Sequence, residues 1–452
     1  MEIIVSNNAE IIDPPEALAG EIRRRLTFDN PKYLDAEKMG RWTGEIEPDL
    51  RCYQNTAAGL AVPRGFCRQL VFACRRHGVK IDITDRRRTL AEAGFNFLGA
   101  LKPFQAEAAE AMLAKDFGTL SAPTGSGKTV IALSIIAERR QPALIVVHTK
   151  ELAFQWIDRI EQFLGIPAEE IGLIGAGKKT LGDRITVALV QSLYKCSREV
   201  APYIGNLIVD ECHRTPSRTF TEAVGAFDSK YMLGLSATPW RRDKLSKLIF
   251  FYLGDVQHEV DRGRLQERGD ILSAEVITRE TDFRPYSDPS TEYSAMLSEL
   301  TQDAGRNRQI CEDIAEEAES GAGTILALSD RKEHVQALHS ILKAEHGIEA
   351  ATLTGDMGKQ ARAQTVEALN AGRVRVLIAT GQLIGEGFDC RGLSTLFLAT
   401  PIRFSGRVLQ YLGRVLRPAP GKDKARVFDY VDVHVGPLIA SARARGRVLE
   451  AA

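Results

Sequence analysis

The chain has 452 residues, enough for two or three domains, and its 44% hydrophobic and 26% charged residues are typical of globular proteins with buried cores. The formal net charge is zero and no apolar run approaches the ~18 residues of a membrane span, so neither a uniformly basic protein nor a membrane protein is expected. Seven cysteines without a CxxC pair, eight histidines without ligand spacing and a start without a secretory signal predict a cytoplasmic protein with no structural zinc.

Residues 1–95 show no regular alternation of strands and helices, and they are predicted to form a small N-terminal α+β domain. Within this region, residues 51–88 contain nine basic side chains against two aspartates. Residues 401–452 have a similar bias, with ten basic side chains against four acidic ones. Each segment is either a contact for nucleic-acid phosphates or a solvated charged face, and the sequence leaves both alternatives open.

Two regions of alternating strands and helices follow, at 96–262 and 263–452, and they predict an α/β fold with parallel sheets covered by helices. Strands are expected to end at 121 and to lie at 143–147, 185–190, 207–209, 232–235, 324–328, 375–379 and 395–399. Helices are expected near 101–115, 150–163, 331–345, 358–370 and 405–413. Between the two regions, residues 261–305 are predicted to be an extended connection with an insertion and one helix near 291–300.

The most specific motif is APTGSGKT at residues 122–129, between a strand end and an apolar helix. Gly125 and Gly127 permit positive φ, so that backbone amides can face an anion at the positive end of the following helix. In such a P-loop, Lys128 reaches the β and γ phosphates of a nucleotide and Thr129 binds Mg²⁺. The motif therefore predicts ATP and Mg²⁺ as cofactors, held by Thr124, Gly125, Ser126, Gly127, Lys128 and Thr129.

A second motif supplies the acidic groups that this chemistry needs. The apolar strand at 206–209 ends at Asp210 and Glu211, 82 residues after Lys128. At the carboxyl end of a parallel strand beside the P-loop, Asp210 is expected to hold Mg²⁺ through water, and Glu211 to orient or deprotonate the attacking water. The alternative is a solvated acidic turn after a strand, which the P-loop upstream disfavours.

The segment 410–417 offers Arg414 and Arg417, which are three residues apart and share one face if the segment is helical. Arginines of a second lobe that closes over the γ phosphate can stabilise the charge of the transition state, as an arginine finger does. Both residues are therefore candidate catalytic groups, with a basic helix end as the alternative.

In this order, the motifs resemble those of the superfamily 2 helicases, and within them the XPB-like, RadD-like and phage UvsW-type DNA helicases. The resemblance covers roughly residues 100–435 and also accounts for Ala122, which stands where the general P-loop has a glycine. It implies two tandem RecA-like parallel-sheet domains after the N-terminal domain. The motifs are Gln105, 122–129, 148–152, 191–193, 210–213, 236–239, Thr380 with 385–389, and 410–417.

The resemblance also implies roles for single residues. Gln105 would read the adenine edge, and Gly387 with Asp389 would contribute to the ATP site from the second domain. Coupling of hydrolysis to domain movement would involve His213, Ser236, Thr238 and Gln410, although His213 has a structural alternative as a partly buried histidine. Contacts to the DNA backbone would come from Thr149, Lys150, Gln191, Ser192 and Thr380.

DNA is favoured over RNA because the last motif begins with Gln410 and the acidic motif is Asp-Glu-Cys-His, unlike the DEAD-box RNA pattern. Backbone contacts predict binding that is largely independent of base sequence and sensitive to salt, and the family usually moves 3′ to 5′. The N-terminal region resembles the front domain of phage-type members. Its aromatic residues Trp42, Tyr53 and Phe66 either stack on bases or fill a small core.

Three activities remain open. The leading one is an ATP-driven DNA helicase that unwinds or branch-migrates joints in repair, recombination or replication. The second is a duplex translocase or annealing motor, and the third is an ATP-gated DNA-binding subunit of a nuclease or defence complex. The first leads because no nuclease-like cluster of acids with a nearby lysine stands apart from the helicase motifs.

Overall fold

The computed structural model describes residues 1–212, 218–237, 246–320, 323–381, 390, 392–402, 405–419, 422 and 425–450. The chain divides into two compact units, of which the first contains Met1–Pro123 and Gly127–Val260 and the second contains Asp261–Ala452. Within the described ranges, no helix is both long and apolar enough to cross a bilayer.

The N-terminal residues form a mixed sheet, as the α+β prediction required. Its strands and those of a separate two-stranded sheet are β1 (Glu2–Val5), β2 (Asn8–Ile12), β3 (Thr27–Asp29), β4 (Asp49–Arg51), β5 (Gln54–Thr56), β6 (Gly59–Pro63) and β7 (Asp82–Asp85). The five-stranded sheet has the order β5-β6-β2-β1-β7, and β3 pairs with β4. The helices are α1 (Glu16–Arg25), α2 (Pro31–Lys38) and α3 (Cys67–Arg76), and a 3-10 turn at Arg64–Phe66 leads into α3.

The rest of the first unit is an eight-stranded sheet with the order β11-β10-β12-β9-β13-β14-β8-β15. Its strands are β8 (Phe117–Ser121), β9 (Ala143–Val147), β10 (Gly172–Gly175), β11 (Lys178–Lys179), β12 (Ile185–Leu189), β13 (Asn206–Val209), β14 (Tyr231–Ser236) and β15 (Val256–Glu259). Its helices are α4 (Pro103–Leu113), α5 (Lys128–Arg139), α6 (Lys150–Leu164), α7 (Val190–Leu193), α8 (Ser197–Val200), α9 (Arg218–Val224) and α10 (Ser246–Leu253), with 3-10 turns at Ala168–Glu170 and Ala201–Tyr203. Every residue of β9, β12 and β13 is buried, as expected for parallel strands with both faces covered.

The second unit contains a six-stranded, all-parallel sheet with the order β16-β21-β20-β17-β19-β18. Its strands are β16 (Ala274–Thr281), β17 (Thr324–Ser329), β18 (Ala351–Leu353), β19 (Val376–Thr380), β20 (Leu393–Leu398) and β21 (Ala425–Asp432). Its helices are α11 (Arg262–Glu267), α12 (Tyr293–Gln302), α13 (Ala304–Ser320), α14 (Lys332–His346), α15 (Lys359–Asn370), α16 (Ser405–Val415) and α17 (Gly436–Glu450). The expected α/β class with tandem parallel sheets is confirmed.

The prediction for residues 261–305 is wrong. This stretch includes α11 and an eight-residue edge strand, β16, which pairs in parallel with β21 from Ala274 opposite Ala425 to Thr281 opposite Asp432. The strand escaped detection because it is an edge strand whose polar side chains remain largely exposed, so it lacks an apolar run. The helix expected near 291–300 is α12, and α13 follows it without having been predicted.

The N-terminal sheet packs directly against the eight-stranded sheet. Phe251 of α10 lies in the N-terminal hydrophobic core and meets Phe66 edge-on at 5.7 Å between ring centroids. The buried guanidinium of Arg64 donates to the Ser229 carbonyl at 2.7 Å, and Arg88 forms an ion pair with Asp228 at 2.9 Å. The aromatic and polar contacts together make one continuous junction.

The junction changes the interpretation of the basic segment 51–88. Arg87 pairs with Asp85 and Asp116, both at 2.7 Å, so its charge is balanced locally. Arg64 is only 1% exposed. These arginines, like Arg88, hold the two sheets together, and for them both sequence-based alternatives, a phosphate contact and a solvated face, are wrong.

Candidate nucleotide site and nucleic-acid interface

The P-loop connects β8 to α5 at the carboxyl edge of the eight-stranded sheet. Gly125 has φ 91° and Gly127 has φ 83°, the left-handed region that side chains disfavour. Gly127 is the N-cap of α5 and supplies no side-chain acceptor, so the positive end of this helix is available to an anion. The Lys128 ammonium lies back over the loop and donates to the carbonyls of Ala122 at 3.0 Å and Pro123 at 3.4 Å.

Two predicted residues from outside the loop lie against it. Gln105 of α4 is 8% exposed, and its Nε2 is 2.5 Å from where a Cβ on Gly127 would be. Ser236 is the last residue of β14, and its carbonyl accepts a hydrogen bond from the Ala122 amide at 2.9 Å. The fold therefore brings both Gln105 and Ser236 to the phosphate-binding loop from distant points in the sequence.

Asp210 and Glu211 follow the carboxyl end of β13. Asp210 is 7% exposed, and its Oδ1 accepts the Glu211 amide at 2.8 Å. Burial and the neighbouring Glu211 raise the pKa of Asp210, whereas a hydrogen bond from Trp156 and the Lys128 charge oppose that rise. Glu211 has φ 48°, a conformation that costs a non-glycine residue about 1 kcal/mol and is found mainly where function requires it.

The expected neighbourhood of the acidic strand needs one correction. Sequence reasoning placed Asp210 on a strand beside the P-loop strand, but β14 lies between β8 and β13. All three strands are parallel, so their carboxyl ends share one edge of the sheet. Longer side chains span the intervening strand, and the Lys128 charge still acts on Asp210.

Sequence reasoning missed Trp156. It is 2% exposed, and its indole Nε1 donates to Oδ2 of Asp210 at 2.9 Å. A tryptophan in an amphipathic helix predicts only a core position, and no local pattern indicates a partner 54 residues away.

The four predicted nucleic-acid contacts of the first unit meet at one edge. Thr149 is the N-cap of α6, where its hydroxyl accepts the Leu152 amide at 3.3 Å, and Lys150 follows it, exposed. Gln191 and Ser192 lie in α7. The strands that precede these two helices, β9 and β12, are paired neighbours with Val147 opposite Leu189. The side chains therefore project from adjacent strand ends of the same sheet.

In the second unit, Thr380 ends β19 and Arg414 lies in the last turn of α16. The buried hydroxyl of Tyr411 donates to the Gly381 carbonyl at 2.7 Å, so the helix that carries Arg414 is attached to the strand end that carries Thr380. Arg417 lies beyond the helix end, with its amide bonded to the Arg414 carbonyl at 3.4 Å. The expectation of one helical face for the two arginines therefore holds for Arg414 only.

Some predicted residues lie outside the described residues. They are His213, Thr238, Gly387 and Asp389. Gln410 belongs to the backbone of α16, but its side chain is not described.

The aromatic residues of the N-terminal region divide between the two expected roles. Phe66 is fully buried and Tyr53 packs against the N-terminal core, so both contribute to packing. Trp42 is 76% exposed. The stacking interpretation is therefore wrong for Phe66 and stays a prediction for Trp42.

The residues of the first unit fit Mg²⁺ and a nucleoside triphosphate. The glycine backbone at 125 and 127 leaves the loop without side chains that would fill the phosphate position. Lys128 and the α5 N-terminus supply positive potential, while Thr129 and Asp210 supply oxygen ligands of the kind that Mg²⁺ prefers.

Comparison with family models assigns both parallel-sheet regions. Residues 99–241 match the family "Type III restriction enzyme, res subunit", and residues 306–419 match the family "Helicase conserved C-terminal domain". The chain belongs to the superfamily 2 helicases, and within them it is XPB-like. These are nucleotide-dependent enzymes, in agreement with the P-loop and the acidic pair.

Two relatives and one solved structure illustrate the similarity. L396 of Acanthamoeba polyphaga mimivirus, provisionally named an ATP-dependent RNA helicase, is 28% identical over 70% of this chain and 60% of its own. The DNA 3′-5′ translocase XPB2 of Sulfurisphaera tokodaii is 38% identical over 34% of this chain and 35% of its own. The chain thus spans less than two thirds of either relative. The structure of Saccharomyces cerevisiae Dbp5 with RNA and ADP BeF3 covers 76% of this chain and 87% of its own at 16% identity, with a TM-score of 0.55, which supports the fold.

Proposed function

We propose that this protein is an ATP-dependent DNA helicase or translocase that unwinds or branch-migrates DNA in repair, recombination or replication. The observation that carries the proposal is the P-loop of the first unit, with Lys128 and the buried Asp210 at the same sheet edge. The two helicase-family matches support the same activity.

In the proposed reaction, Lys128 binds the β and γ phosphates, Gln105 contacts the adenine edge, and Thr129 with Asp210 holds the cation, Asp210 through water. Bound Mg²⁺ neutralises charge on the phosphate oxygens. Glu211 orients the attacking water and accepts its proton as the water oxygen bonds to the γ phosphorus. The positive φ of Glu211 supports this role because its backbone is held in an unusual orientation by the Asp210 carboxylate.

The second domain is proposed to complete the cycle. Arg414 and Arg417 stabilise charge on the transferred phosphoryl group, and Gly387 with Asp389 contributes to the ATP site. Coupling between hydrolysis and domain movement involves His213, Ser236, Thr238 and Gln410. The contact of Ser236 with the first residue of the P-loop supports its part in this set.

The strand is proposed to run along Thr149, Lys150, Gln191 and Ser192 in the first domain and Thr380 in the second. Hydroxyl, amide and ammonium groups of this kind contact sugar and phosphate, so the affinity is independent of base sequence and falls with salt. Closing and opening of the two domains with each ATP turnover then moves the strand, in the 3′ to 5′ direction that the printed name of XPB2 gives for that relative.

DNA is the proposed substrate, supported by the Asp-Glu-Cys-His motif, by Gln410 and by the DNA translocase XPB2. RNA is the second candidate because L396 carries the name of an RNA helicase. ATP hydrolysis by the purified protein, measured with single-stranded, duplex and branched DNA and with RNA of the same sequence, distinguishes them. Stronger stimulation by RNA than by any DNA would transfer the proposal to RNA.

Two substitutions test the site itself. Lys128→Ala and Glu211→Gln are expected to abolish nucleic-acid-stimulated hydrolysis without changing the circular dichroism spectrum. Lys178→Ala is the control because this lysine lies in a short exposed strand. Normal turnover in either site variant would refute the assignment.

The type of motor needs a separate assay. Strand displacement on forked, four-way and blunt substrates separates a helicase from a duplex translocase or annealing motor. Activity of the purified chain alone would argue against an ATP-gated subunit of a nuclease or defence complex.

We further propose three domains, 1–95, 96–262 and 263–452, of which the first helps to engage DNA. The exposed Trp42 supports this contact because an aromatic face open to solvent can stack on a base. Trp42→Ala is expected to weaken DNA binding, and unchanged affinity would remove Trp42 from the interface. A cytoplasmic location is proposed as well, supported by seven cysteines that are all free thiols.

A further inference from the structure

Trp156 connects the two halves of the candidate site in the first unit. It lies on the buried face of α6 together with Ala153 and Ile160. Its side chain is one of the largest fully buried groups in the protein, and its indole N–H is directed at the Asp210 carboxylate. A residue that only filled the core would not need this polar contact.

The same helix carries the proposed strand contacts at its other end. Thr149 caps α6 and Lys150 is its first residue. Seven residues of helix separate Thr149 from Trp156, an axial distance of about 10 Å at 1.5 Å per residue. Because a helix moves as a rigid element over this length, a shift at its N-terminus also shifts the indole.

The Asp210 carboxylate is held from two directions. Its Oδ1 accepts the Glu211 amide at 2.8 Å and its Oδ2 accepts the Trp156 indole N–H at 2.9 Å. Two donors on different oxygens define both the rotation and the plane of the carboxylate. Each oxygen keeps a second lone pair for a water molecule of the cation.

We infer that Trp156 is a positioning residue, which orients Asp210 toward the hydrated Mg²⁺ and transmits nucleic-acid binding at Thr149 and Lys150 to that carboxylate. This inference rests on the proposed function and deepens it. It gives a physical route by which a bound strand accelerates ATP hydrolysis.

Trp156→Phe tests the inference because phenylalanine keeps an aromatic ring in the core but removes the donor. The expected result is unchanged affinity for a fluorescent ADP analogue without metal, with a half-saturating Mg²⁺ concentration about tenfold higher, the value of one hydrogen bond to a charged group. Stimulation of ATP hydrolysis by DNA is expected to fall by a similar factor. Phe154→Leu is the matched control, since Phe154 is 45% exposed on the same helix.

A second replacement separates the hydrogen bond from packing. Incorporation of 3-benzothienylalanine at position 156 replaces the indole N–H by sulfur with almost no change of shape, and it should reproduce the Trp156→Phe result. A purely structural role would instead lower metal-free nucleotide affinity and the melting temperature in the phenylalanine variant and leave the sulfur analogue normal.

Two outcomes would overturn the inference. One is an unchanged Mg²⁺ requirement and unchanged DNA stimulation in both variants, and the other is the pattern of a purely structural role. Failure of the proposed function is distinguishable, because the wild-type protein would then show no Mg²⁺-dependent nucleotide binding or no stimulation by nucleic acid.

Discussion

Two glycine-to-alanine substitutions in the N-terminal region are expected to change stability in opposite directions. Gly65 lies where the Arg64–Phe66 turn approaches α10, and its new Cβ would be 2.5 Å from the Phe251 carbonyl and 2.6 Å from the Gly254 amide. The Phe250 carbonyl would be closer still. Gly20 lies in the middle of α1, and its new Cβ would meet nothing within 4 Å.

The magnitudes follow from the surroundings. Gly65→Ala forces backbone groups apart, and overpacking of this kind costs about 1–3 kcal/mol. Gly20→Ala replaces a poor helix former at an exposed position and should stabilise by about 0.5–1 kcal/mol. Both substitutions restrict the unfolded chain equally, so the difference between the two variants isolates the clash at the junction.

Urea unfolding at equilibrium measures the change in free energy, and hydrogen exchange across 64–74 and 246–254 locates it. Gly65→Ala should unfold at lower urea and lose protection in both segments. Nucleotide binding should persist, since the P-loop lies at the opposite strand ends from this junction. A Gly65→Ala variant at least as stable as wild type would refute the close packing of the turn against α10.

Three further predictions concern single side chains. Arg414→Ala should leave binding of a non-hydrolysable ATP analogue intact and reduce single-turnover hydrolysis by about 10³-fold, the lower range for an arginine finger; the exposed Arg443→Ala should do neither, and full turnover in Arg414→Ala would exclude the finger role. Burial lowers the pKa of His334 to about 3, so the unfolded chain takes up the proton more readily. Its stabilising contribution is complete above the unfolded pKa of about 6.5 and decreases as the pH falls, by about 2 kcal/mol at pH 5. Urea unfolding at pH 7.5 and 5 should therefore show a smaller pH effect in His334→Gln, and an equal effect would contradict the neutral buried ring. Burial also raises the pKa of the Cys212 thiol, so iodoacetamide should not alkylate it in the folded protein at pH 7.5; mass spectrometry that finds Cys212 modified would disprove this.

Local patterns predicted most of the second and third sheets. Strands such as Ala143–Val147 are continuous apolar runs, because parallel strands are covered on both faces. The β16 strand was missed because an edge strand needs no such run, and its place in the sheet depends on pairing with residues about 150 positions later. Pairing over that distance leaves no trace in a sequence window.

The basic N-terminal segment shows the same limitation for charge. Nine basic side chains against two aspartates in 51–88 suggested a surface for phosphates or solvent. Arg87 and Arg88 instead meet Asp116 and Asp228, which lie outside that window. A local count of charges omits partners that only folding supplies.

By itself, the sequence determined the chemistry of the phosphate loop and of the acidic pair. A glycine-rich turn before a helix and two carboxylates after an apolar strand act through backbone conformation and charge within a few residues, and short windows contain both. Only the tertiary structure decided which distant groups support them. Trp156 reaches Asp210 across 54 residues, and Gln105 lies against Gly127, because neighbouring parallel strands bring their carboxyl ends to one edge. Such contacts depend on the order of the strands, which no single segment encodes.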